Sequence, residues 1–107
     1  MSKNKRKATI KTRPYDSARY LDTPETIAAY LTEALETEDS SFIASALGTV
    51  ARAKGMSGVA RKTGLSRENL YRSLDGQTKP ELDTVIRVFG AVGLTLSASP
   101  KTKSKAG

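Results

Sequence analysis

The chain has 107 residues and a formal net charge of +7, with 37% hydrophobic residues and neither cysteine nor histidine. That length suits one domain with a modest core. Without cysteine or histidine there is no disulfide, no Cys/His zinc centre and no Ser-His-Asp or Cys-His nucleophile.

Residues 1–13 carry Lys3, Lys5, Arg6, Lys7, Lys11 and Arg13 and no acid, the composition of a basic flexible arm. Within it, Ala8–Thr12 ("ATIKT") is expected to form a strand only when paired. The arm leads into no apolar h-region, so it does not read as a secretory signal. The longest apolar run, Val88–Leu94, is too short to cross a bilayer. A cytoplasmic protein with no membrane partner is expected. Residues 14–39 reverse the sign, with Asp16, Asp22, Glu25, Glu33, Glu36, Glu38 and Asp39 opposing Arg19 alone. Residues 40–100 return to a positive balance, with eight bases against four acids, and an acidic segment beside a basic one points to two surfaces with different partners.

A first helix is expected across "LDTPETIAAYLTEALETED". Thr23 is its N-cap, Pro24 its first residue, and Glu25 lies in the first turn, where the helix dipole favours an anion. Ile27, Leu31, Ala34 and Leu35 form its apolar stripe. Ser40 or Ser41 is expected to cap a second helix, with Ile43, Ala46, Leu47 and Val50 inward and Gly55 as the stop. A short third helix runs from a Ser57 cap to Gly64, with Val59, Ala60 and Thr63 inward. "LSRENLYRSLDG" forms a fourth. A fifth follows in "PELDTVIRVFGAVG", where Leu82, Val85, Ile86 and Phe89 are expected to face the core and Gly93 to end the helix. "LTLSASP" alternates Leu94, Leu96 and Ala98 with polar residues, the pattern of a half-buried strand. Such a strand needs a partner: Ala8–Thr12, its own copy in a dimer, or another protein. The expected fold is all-α, five helices with one or two short terminal β-strands.

The fourth helix carries the chemistry. With Ser66 as N-cap, Leu65 and Leu70 take the positions of a hydrophobic staple. At about 100° per residue, Leu70 and Leu74 point inward together while Glu68, Asn69 and Arg72 point outward. Arg67 and Tyr71 lie on the flank. The outward types are those that read base edges: arginine to guanine, asparagine to adenine, glutamate to cytosine. The third and fourth helices, joined at Gly64-Leu65, have the length and spacing of a helix-turn-helix, whose second helix enters the major groove. Small Ala60 allows a close crossing, and Gly64 supplies the left-handed turn. Arg52, Lys54, Arg61, Lys62, Arg67 and Arg72 face Glu68 as the one acid in that stretch, a balance suited to phosphates. Ser57, Ser66, Gln77, Thr78 and Lys79 are candidate phosphate contacts beside Arg67 and Tyr71, because hydroxyls and amides at loops and helix starts position a duplex. No residue set converges on catalysis, so no enzyme, metal or cofactor is expected.

From Gly55 to Leu94 the sequence resembles the Xre/Cro-type helix-turn-helix family, on the landmarks "VARKTGLSRENLYRSLDG" and "KPELDTVIRVFGAVGL". Over residues 15–98 it resembles the addiction-module antidote proteins, HigA-like antitoxins of type II toxin–antitoxin pairs. The further match is "YDSARYLDTPETIAAYLTEALE" leading into "IASALGTVARAKGMSGVARKTGLSRENLYRSL". The resemblance implies an antitoxin that neutralises a RelE/ParE-like toxin and represses its own operon as a homodimer on double-stranded operator DNA. One departure stands out. Such proteins often carry a glutamine at the start of the first helix of the motif, where this chain has Met56, Ser57 and Gly58. Ser57 and its backbone amide are the expected substitute.

Under this reading, residues 1–13 are the basic arm and residues 14–39 an acidic segment for toxin contact. Residues 40–98 are the DNA-binding domain with its C-terminal strand, and residues 99–107 a flexible basic tail. Glu33, Glu36, Glu38 and Asp39 are the candidate toxin contacts, because a toxin that acts on RNA-bearing machinery is expected to present a basic surface. A stand-alone Xre-type repressor would share the DNA motif and differ only in the use of the acidic half. An interaction module without DNA binding is the other alternative.

Overall fold

The computed structural model describes residues 21–101. Thr23 starts the first helix, α1 (Pro24–Glu36), as its sequence requires. Its hydroxyl accepts from the Thr26 amide at 3.1 Å, and the Thr26 hydroxyl accepts from the Thr23 amide at 3.3 Å. This is a reciprocal capping box, with threonine where glutamate is usual. Ile27, Leu31 and Ala34 are buried along one face, and Leu35 is half-buried beside them.

The second helix, α2 (Ser40–Lys54), is capped by Asp39 and not by Ser40 or Ser41. Asp39 Oδ1 accepts from the amides of Ser41 and Phe42 at 3.0 and 3.2 Å. A carboxylate meets the positive end of the helix dipole better than a hydroxyl does. Ala44, Ala46, Leu47, Gly48, Val50 and Ala51 are buried. So wide a buried face follows from position, because α2 packs against all four other helices, and the small residues allow them close.

Gly55 (φ 105°) ends α2 and directly precedes α3 (Met56–Thr63). Ser57 is therefore not the cap. It is the second residue of α3 and is exposed, because the helix begins at Met56, whose side chain is drawn into the core at 5% exposure. Val59 and Thr63 are buried and Ala60 packs at the core edge. Gly64 (φ 79°) leaves α3 in the left-handed conformation, and Ser66 caps α4 (Arg67–Ser73).

The last helix, α5 (Leu82–Ala91), forms where expected but is turned about its axis. Val88, Phe89 and Val92 enter the core and Val85 packs against it. Leu82 and Ile86, expected inside, are 69% and 51% exposed.

Residues 94–100 form no strand, so the expected C-terminal β-strand is absent among the described residues. The alternation holds only in part, since Leu94 and Leu96 are half-buried and Thr95 and Ser97 exposed, but Ala98, expected inward, is exposed as well. Its partner is a helix: Leu94 and Leu96 border a groove with Ala28, Leu31 and Leu35 of α1 and Phe89 of α5. Helical side chains thus cover the apolar edge that a second strand would have covered. The segment ends at Lys101, whose Nζ lies 3.1 Å from Glu38 Oε2. Strand formation by Ala8–Thr12, the basic arm and residues 102–107 lie outside the described residues.

Candidate nucleic-acid interface

Two helices and three linking residues build the surface around α4. At the end of α3, the Gly64 amide donates to the Ala60 carbonyl at 2.9 Å, closing the helix. The buried Thr63 hydroxyl donates to the same carbonyl and accepts from the Leu65 amide, both at 3.2 Å. The turn is thereby tied to the helix it leaves. Ser66 Oγ then accepts from the Asn69 amide at 3.0 Å and starts α4. Leu65 packs against the core just before that cap, in the staple position.

Leu70 and Leu74 hold α4 from behind. Both are buried, and each such burial contributes about 1.5–3 kcal/mol. The carbonyl of Leu74 lies so close to α2 that a Cβ added at Gly48 would sit 2.6 Å from its oxygen. Only glycine allows that approach, so α4 rests directly on the backbone of α2. The helix also packs against α3.

What remains of α4 faces solvent. Arg67, Glu68, Asn69, Tyr71 and Arg72 are all exposed, together with Ser66 at the cap. The Arg67 guanidinium lies 5.8 Å from the Tyr71 ring centre, a cation–π distance that orders both side chains along one flank. Among the described residues no hydrogen bond or ion pair engages the side chains of Glu68, Asn69 or Arg72. Six of the ten candidate DNA contacts thus share one short helix and its cap. Ser57 is separate, exposed near the start of α3. Gln77, Thr78 and Lys79 are exposed in the loop after α4. That loop is shaped by the Gln77 amide on Asp75 Oδ1 at 2.7 Å. It leans on the start of α2, where a Cβ on Gly76 (φ 82°) would lie 3.4 Å from the Ser41 carbonyl.

The four candidate acids lie where α1 ends and α2 begins. Glu33 and Glu36 are exposed in the last turn of α1, which carries no basic residue. Glu38 sits in the α1–α2 turn at φ 57°, paired with Lys101, and Asp39 caps α2. Two of the four therefore have structural partners of their own.

Sequence reasoning missed Arg87. Its Nη1 donates to the Thr63 carbonyl at 2.8 Å and its Nε meets Asp83 Oδ2 at 3.0 Å. The i,i+4 spacing of Asp83 and Arg87 signals the ion pair, but nothing local signals the reach across to α3.

Against known proteins, residues 11–100 match the model of a family described as "Probable addiction module antidote protein". A relative from Haemophilus influenzae (strain ATCC 51907 / DSM 11121 / KW20 / Rd), described as an uncharacterized protein, is 42% identical over 86 residues, covering 80% of this chain and 89% of the relative. No solved structure matches.

Proposed function

The chain belongs to this family of addiction-module antidotes, and from that premise we propose that it neutralises a RelE/ParE-like toxin and represses its own operon by binding operator DNA. In this reading α3 and α4 are a helix-turn-helix of the Xre/Cro type in a HigA-like antitoxin. The observation that carries it is the division of α4: Leu70 and Leu74 are buried while Glu68, Asn69 and Arg72 face solvent. A helix held from behind and polar in front is what groove reading needs. Glu68, Asn69 and Arg72 contact base edges. Ser57, Ser66, Arg67, Tyr71, Gln77, Thr78 and Lys79 position the duplex through phosphates.

Toxin contact falls to the acidic end of α1. Glu33 and Glu36 sit at a helix C-terminus, where a carboxylate opposes the dipole at a cost of some tenths of a kcal/mol. A local rule broken on the surface is reasonable where a basic partner repays it. Glu38 and Asp39 extend the same patch. A homodimer supplies the second helix for a second half-site, with the exposed Leu82 and Ile86 of α5 as the contact.

A mobility-shift assay tests the reading, using DNA from upstream of the gene at stated salt, with and without the product of the adjacent gene. Operator binding at concentrations that leave unrelated DNA free, and a complex with a basic RelE-like neighbour, are expected. Equal affinity for all DNA removes the repressor role, and absence of any complex with the neighbour removes the toxin.

A further inference from the structure

Arg87 lies in the middle of α5, and its guanidinium joins two elements. One side meets Asp83 a turn back at 3.0 Å. Another nitrogen donates to the carbonyl of Thr63 at 2.8 Å, from 24 positions away in sequence. Thr63 closes α3, where carbonyls lack an intrahelical donor and the dipole is negative, so a cation is favoured on both counts. A planar guanidinium offers donors in two directions at once, which is what bridging a carboxylate and a carbonyl requires. A Cβ on Gly64 would sit 3.7 Å from the same Nη1, so the fork lies against the turn between α3 and α4. Its base is firm, because Val88, Phe89 and Val92 seat α5 in the core. α4 packs against α2 and α3, so its direction depends on how the end of α3 is held.

We propose that Arg87, anchored by Asp83, is a positioning residue: it fixes the end of α3 and hence the direction in which Glu68, Asn69 and Arg72 face. The idea rests on the reading of α4 as the DNA-contacting helix. Arg87 is 48% exposed, so charge alone would count it among the phosphate contacts. Its geometry assigns that charge to the turn.

Asp83→Ala separates the two roles, because deleting an acid makes the protein more positive. Arg87→Ala, Asp83→Ala and the double variant are compared with the wild type by amide hydrogen exchange and by binding to operator and unrelated DNA over a salt series. Both single variants should speed exchange at Gly64, Leu65 and Asn69 while leaving Leu31 and Val50 as they were. Operator affinity should fall roughly two- to fivefold, the range of a partly exposed charged contact, with the salt slope and the affinity for unrelated DNA retained. The double variant should be no worse than Arg87→Ala, since the pair acts as a unit. A phosphate-contacting Arg87 gives the reverse pattern and overturns the proposal. Its loss would lower the salt slope by about 0.9 and weaken both DNAs alike, and Asp83→Ala would bind more tightly. Unchanged exchange at the turn in Arg87→Ala overturns it whatever the DNA result. If the wild type binds no DNA, the repressor reading fails, and the exchange data alone decide whether Arg87 holds the turn.

Discussion

An added Cβ at Gly48 would lie 2.6 Å from the Leu74 carbonyl oxygen, a backbone atom that cannot swing aside. Gly48→Ala should therefore cost about 1–3 kcal/mol through overpacking, read as a lower denaturation midpoint at unchanged m-value. Gly58, in α3, is the control: a Cβ there meets only Arg61 Nη2 at 3.9 Å. Gly58→Ala should gain about 0.5–1 kcal/mol from helix propensity. Equal effects at the two glycines would mean that α4 does not sit on α2 as described. Arg72 makes the complementary case. It is exposed, so Arg72→Ala should leave stability within about 0.5 kcal/mol. It should still cost about 1–3 kcal/mol of discrimination between operator and altered operator. A loss shared equally by every DNA sequence would demote Arg72 to a phosphate contact.

Element by element, the sequence was readable where one signal acted alone. Thr23, Ser66 and Gly64 are each the capping or turn residue that their local pattern names. Ambiguity came from neighbours of similar chemistry. Asp39, Ser40 and Ser41 all cap well, and only the charge of Asp39 decides among them. At α3 the competing signal was hydrophobic, since the burial of Met56 outweighs the capping preference of Ser57. α5 was misread for a different reason. It carries two apolar ridges, Leu82–Ile86 and Val88–Val92, which share Val85 and Phe89 between them. Periodicity finds the helix but cannot say which ridge the rest of the chain covers. The candidate site was legible for the same reason as the caps, because the leucines of α4 leave one solution for its polar face. Ser66→Ala tests how far α4 depends on its cap. It should cost about 0.5–2 kcal/mol and, in a helix of only seven residues, show first as faster exchange at the Asn69 amide. Protection unchanged at that amide would mean that packing of Leu70 and Leu74 alone holds the helix.

For the whole molecule, the ridge left outside on α5 is the most informative consequence of that rotation. Leu82 and Ile86 are one turn apart, and Gly90 continues the ridge with open space around it. Asp83 and Arg87, paired with each other at 3.0 Å, run along one side of the ridge, which leaves its apolar residues to meet their own copy across a two-fold axis. A repressor that reads two half-sites about 34 Å apart needs such an axis, and a single α4 contributes too small an interface for tight specific binding by itself. Leu82→Ser combined with Ile86→Ser should therefore split the proposed dimer without unfolding the subunit, since neither side chain is in the core. Sedimentation should show the monomer, with a melting temperature close to that of the monomeric wild type at high dilution. Binding to a full operator should fall to the level of a single half-site, while binding to the isolated half-site stays as it was. A wild-type chain that is already monomeric at concentrations saturating the operator would remove α5 as the dimer contact. A variant that remains dimeric would move the contact elsewhere, with the apolar groove between α1 and Leu94–Ser97 the next surface to examine.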